Sequence, residues 1–105
     1  MPEEELVNYR KLSMWKKRVM IAPTIARELG FSKTYKFQPH NFKDIKIPTM
    51  LLHGELSPPI YLQEIDLIKE ALPQSSVVSL DGQYHVAMDM NPELFLQKVK
   101  DFLLQ

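Results

Sequence analysis

A strand–helix–strand segment from Ile47 to His85 limits what this chain can fold into more than any other feature. It opens with Ile47-Pro48-Thr49-Met50-Leu51-Leu52-His53-Gly54 and closes with Val77-Val78-Ser79-Leu80-Asp81-Gly82-Gln83-Tyr84-His85. A short apolar run after proline, then glycine, a helical stretch and a second β-branched run predict a βαβ unit with parallel strands. In such a unit, ligands and catalytic groups sit on the loops that follow the carboxyl ends of the strands. Glu55 and His85 fall on those two loops.

The elements of the second part follow from local signals. Thr49 to Leu52 is predicted as a strand covered on both faces. Ser57-Pro58-Pro59 suits a helix start, with a capping hydroxyl followed by proline at the first helical position. Tyr61, Ile65, Ile68 and Leu72 then recur at helical spacing as one apolar stripe, and Pro73 stops the helix. Ser76 to Leu80 is the second strand. Asn91-Pro92-Glu93 starts a last helix whose buried face is Leu94, Phe95, Val99, Phe102 and Leu103.

The chain divides near Asp44 into a helical and irregular segment, 1–43, and an α/β lobe, 44–105. In the first segment Ser13 is the expected cap of a helix running to about Ala22. Pro23 interrupts it, Thr24 caps a short second helix from Ile25 to Leu29, and Gly30 is its stop. Phe31 to Lys46 has no clean period and reads as a loop with aromatic anchors at Phe31, Tyr35, Phe37 and Phe42.

Two parallel strands alone make a poor sheet. Parallel sheets bury both faces, and stable sheets have at least about three strands. The pair here leaves unpaired backbone groups on both edges. The segment is therefore expected to be the edge of something larger, or to pair with another chain.

Charge and composition narrow the partners. Thirteen basic and thirteen acidic residues give a net charge of zero, which argues against a general affinity for nucleic acid or an anionic membrane. No apolar run approaches the ~18 residues that span a bilayer, and the acidic start Met1-Pro2-Glu3-Glu4-Glu5 is unlike a leader. A cytoplasmic location is the resulting expectation. There is no cysteine, hence no disulfide, thiolate nucleophile or cysteine zinc site. His40, His53 and His85 are too widely spaced for a metal-ligand pattern, so neither metal nor cofactor is expected.

Taken together, Pro48-Thr49-Met50-Leu51-Leu52-His53-Gly54-Glu55, the helix ending Ala71-Leu72-Pro73, the Asp81-Gly82-Gln83-Tyr84-His85 loop and Pro92-Glu93-Leu94-Phe95 resemble the C-terminal part of α/β-hydrolases. They are similar to that family's last two strands, the helix between them, the histidine loop and the closing helix. Upstream, Tyr9-Arg10, Trp15, Arg18-Val19, Thr24 and Arg27-Glu28-Leu29 are similar to the end of its cap region. The resemblance implies a partial α/β-hydrolase fold: one parallel βαβ unit and a C-terminal helix, preceded by a helical cap-like segment.

The family's mechanism implies a nucleophile, a histidine base and an acid that orients it. From spacing alone His85 is an ordinary loop histidine; the resemblance makes it the base. The position where many relatives carry the acid, three residues after Gly54, is Ser57. Glu55 is the nearest carboxylate, either the acid or a solvated loop residue, and an Asp elsewhere in a complete enzyme is the other source of the acid.

No serine fits a nucleophile elbow, because the only glycines are Gly30, Gly54 and Gly82. Ser32, after Gly30, reads as a loop residue, Ser79 as a strand residue and Ser57 as a helix cap. His53 reads as a packed or hydrogen-bonded core histidine at the end of a strand, Lys16-Lys17-Arg18 as a solvated helix face, and Arg27-Glu28 as a salt-bridged helix end or, in a lid, a pair facing the pocket. Met88 and Met90 line either the core or an apolar pocket.

Loss of a single triad member costs orders of magnitude in rate. The expectation is a C-terminal piece of an ester-hydrolysing enzyme, inactive alone and acting on small apolar substrates once joined to a missing N-terminal lobe. The other expectation is a non-catalytic module that self-associates through its sheet edge.

Overall fold

The computed structural model describes residues 1–105 and divides them into two units, 2–38 and 39–105. The second is mixed α/β. Its strands β1 (Met50–Gly54) and β2 (Ser76–Leu80) pair in parallel, with Met50 opposite Ser76 and Gly54 opposite Leu80. Helix α3 (Pro59–Ala71) makes the crossover between them, as the sequence predicts. A 3₁₀ turn, Pro39–Phe42, lies in the stretch expected to be a loop.

β1 begins one residue later and runs two residues further than expected, ending at Gly54. The extension has a backbone cause: the Glu55 N–H donates to the Leu80 carbonyl at 3.0 Å and continues the ladder past the glycine.

Three N-caps differ in kind. Asn91 caps α5 (Pro92–Leu103), its Oδ1 accepting from the Leu94 N–H at 3.2 Å. Ser57, by contrast, is not the cap of α3. Pro58 occupies that position with ψ 145°, and Pro59 is the first helical residue. The residue before a proline is pushed into the extended region, so the second proline moves the helix start one residue beyond the reach of Ser57. Ser13 does not cap either: it has helical angles and no side-chain bond.

The α3 stripe packs as its spacing dictates, with Tyr61, Ile65 and Ile68 half-buried and Leu72 buried. Beyond it Ser75 is buried, and its hydroxyl donates to the Leu72 carbonyl at 2.6 Å. The Lys69 ammonium donates to the Pro73 and Ser75 carbonyls, so the loop into β2 is tied to the helix that feeds it.

On α5, Leu94, Phe95, Val99 and Phe102 are half-buried, but Leu103 is 71% exposed, against expectation. At 3.6 residues per turn Leu103 lies about 100° from the centre of the face the other four share. A single turn of helix, α4 (Ala87–Met90), precedes α5. Leu72, Leu80 and Ala87 are the most deeply buried apolar residues of this unit.

The first unit holds α1 (Glu3–Arg10) and α2 (Met14–Ser32). α1 was not anticipated, although Glu3, Glu4 and Glu5 stand in its first turn, where the helix dipole favours negative charge. Tyr9 is buried and meets Trp15 edge-on, ring centroids 5.8 Å apart, with Arg10 over the Trp15 ring.

α2 runs unbroken through Pro23 and Gly30, where the sequence predicts a break and a stop. Proline removes one backbone bond and crowds the carbonyl one turn back. Here that carbonyl belongs to Val19, on a helix whose residues from Lys16 onward are all exposed. The Thr24 hydroxyl, rather than capping a new helix, donates back to the Ile21 carbonyl at 2.7 Å. Gly30 has no positive φ; glycine permits a left-handed stop but does not impose one. Ser32 is accordingly the last helical residue, its hydroxyl on the Leu29 carbonyl at 2.7 Å. Arg27 and Glu28 sit exposed within the helix rather than at an end, and adjacent helical side chains do not face one another. No helix of the chain is long and apolar enough to cross a membrane.

Candidate functional site

At the carboxyl ends of β1 and β2 the two loops are bound to each other. The Leu56 N–H donates to the Gln83 carbonyl at 2.8 Å, and the Gly82 N–H donates to Glu55 Oε2 at 2.6 Å. The second loop starts with a tight turn in which the Gln83 N–H reaches the Leu80 carbonyl at 3.2 Å and Gly82 has φ 68°. A positive φ at the third position of such a turn is the type II geometry, which calls for glycine.

Gly54 is needed for a different reason. A Cβ there would overlap the Tyr84 carbonyl oxygen and come within 2.5 Å of the Gln83 oxygen. The histidine loop can lie across the end of β1 only because that residue has no side chain.

Glu55 and His85 are thus brought to the same end of the sheet, on loops that touch. Their side chains have different partners. The Glu55 carboxylate holds the Gly82 amide, a charge-assisted bond that fixes the turn leading to His85. The His85 ring is exposed and stacks flat on Tyr61, centroids 4.0 Å apart and planes within 5°. Glu55 thereby orders the backbone that carries the histidine.

Beneath the loops lies a cavity of about 240 Å³. Leu52, Ile65, Ile68, Leu80 and Phe95 contribute apolar wall, and His53, Ser57, Tyr61, Glu64 and His85 the polar groups. Met88, half exposed, also lines it, whereas Met90 does not. Ser57 is buried at its edge, with its N–H on the Gly54 carbonyl at 3.1 Å. Ser79 is within β2, as the sequence predicts.

His53 is half-buried near the end of β1 and hydrogen-bonded, in keeping with its sequence, and it also borders the cavity. Its Nδ1 lies 3.0 Å from the Gly54 carbonyl oxygen. A carbonyl only accepts, so Nδ1 carries the hydrogen and Nε2 of the neutral ring is an acceptor. Tyr61 and Glu64 were missed as site residues. Their positions on the first two turns of α3, directly after the β1 loop, were the available signal, but the helical stripe accounted for Tyr61 as core.

The arrangement can hold a small, mainly apolar molecule against a histidine. No family model, curated protein sequence or solved structure matches the chain.

Proposed function

We propose that this chain is the C-terminal lobe of an α/β-hydrolase-like enzyme that cleaves ester or related bonds. In this reading His85 is the general base and the nucleophile comes from a lobe outside residues 1–105. The observation that carries it is the place of His85: on the loop after the second of two parallel strands, at their carboxyl ends, beside a cavity with apolar walls. The motif order from Pro48 to Phe95 supports the same reading. Glu55 acts here as a positioning residue, since its carboxylate fastens the turn before the base.

By itself the chain lacks a nucleophile elbow and has no means of forming an acyl intermediate. p-Nitrophenyl acetate turnover is expected to equal the buffer rate for both the chain and its His85→Ala variant. Fused to an upstream coding segment that carries Gly-x-Ser-x-Gly, it is expected to become active, and His85→Ala should then remove about 10⁶-fold of the rate. Turnover by the isolated chain that vanishes in His85→Ala, or a fusion indifferent to that change, would overturn the reading.

A second reading is a self-associating module without catalysis. It is favoured by the two free strand edges and by large apolar side chains left exposed on α2, among them Met20 at 79% and Phe31 at 67%.

A further inference from the structure

The cavity has chemistry of its own that does not involve a nucleophile. We propose that it binds a small uncharged molecule with one ring and one hydroxyl, of the phenol class, with the hydroxyl donating to His53 Nε2. Three observations lead to this class. The first is size: an apolar cavity of about 150 Å³ holds benzene, and this one measures about 240 Å³. A single substituted ring fits.

The second is the fixed polarity of His53. Its Nδ1–H is occupied by the Gly54 carbonyl 3.0 Å away. The nitrogen left over in the neutral ring is an acceptor, and a hydroxyl on the occupant can donate to it. The third is charge. Glu64 lines the same space, so a carboxylate-bearing ring meets a like charge and a hydrogen-bond acceptor together, an arrangement that disfavours it twice. The apolar walls at Leu52, Ile65, Ile68 and Phe95 take the ring itself.

The inference uses the cavity of the hydrolase reading but does not depend on catalysis. Binding is measured on the isolated chain, so its failure leaves the fusion assay with His85→Ala unaffected, and the reverse also holds.

The experiment is amide-detected NMR titration of the full chain with p-cresol, toluene and p-toluate. p-Cresol should shift the amides of Gly54, Tyr61 and Ala87 saturably. Toluene should bind about fivefold more weakly, the worth of one hydrogen bond, and p-toluate about tenfold more weakly than p-cresol. His53→Leu should abolish the advantage of p-cresol over toluene while toluene still binds. Glu64→Gln alters an exposed helix position, so it tests the charge argument even if His53→Leu fails to fold. It should shrink the p-toluate penalty relative to p-cresol measured on the same variant. The proposal is overturned by p-cresol and toluene binding equally, by shifts that never saturate or lie away from the cavity, by His53→Leu retaining the p-cresol preference, or by Glu64→Gln leaving the p-toluate penalty intact.

Discussion

Gly54 and Glu5 show how much depends on single positions in this chain. At Gly54 the obstacle to any side chain is backbone, the Tyr84 and Gln83 carbonyls, which cannot swing aside as a flexible side chain would. Gly54→Ala is expected to cost about 3 kcal/mol or more, as severe overpacking does, measured by urea unfolding. A variant as stable as the parent would mean that the histidine loop does not cross the strand end closely. Glu5 is only 7% exposed, and its Oε2 has no hydrogen-bond partner. Burial raises its pKa above the ordinary carboxylate value, because the charged form loses more hydration than the neutral one. A group whose folded pKa is raised favours the fold below its unfolded pKa. That contribution is lost as pH rises through the folded pKa. Glu5→Gln should therefore raise the melting temperature at pH 7 and change it little at pH 4, read by circular dichroism; an equal effect at both pH values would exclude the carboxyl as the cause.

Among the elements, α3 and α5 were legible because their apolar periodicity agrees with the signals beside them, Pro73 after α3 and Asn91-Pro92 before α5, whereas α2 was not. Proline and glycine are strong local signals, yet Pro23 and Gly30 both lie inside one nineteen-residue helix. A local signal carries a cost, and this helix absorbs it along a stretch that is exposed to solvent. That cost remains in the folded state. Pro23→Ala is expected to stabilise the helix by up to about 3 kcal/mol, visible as a higher melting temperature and greater helical ellipticity. A lower melting temperature would indicate that the proline ring makes a favourable contact that outweighs the missing bond. The cap of α3 illustrates the opposite limit: Ser57 had the right chemistry for a cap, and the conformational demand of Pro58-Pro59 moved the helix start away from it.

For the whole molecule, two strands and a large exposed apolar surface pose the same problem at different sites. β1 is partly covered along its length, while β2 begins with exposed Ser76 and Val77. If the sheet edge and α2 find partners in second copies, light scattering at increasing concentration should give a mass above the 12.3 kDa of one chain. A monomer at every concentration would sink the self-association reading and leave the hydrolase-lobe reading as it stands. The βαβ unit, its parallel strands and the placing of Glu55 and His85 on neighbouring loops could be determined from the sequence, because apolar periodicity and turn residues act over a few positions. Only the tertiary structure decided what those residues touch. The Glu55 carboxylate turns to the Gly82 amide, His85 stacks on Tyr61, and His53 borders a cavity. Each of these joins residues distant in the chain, and no local spacing encodes the direction in which a side chain finds its partner.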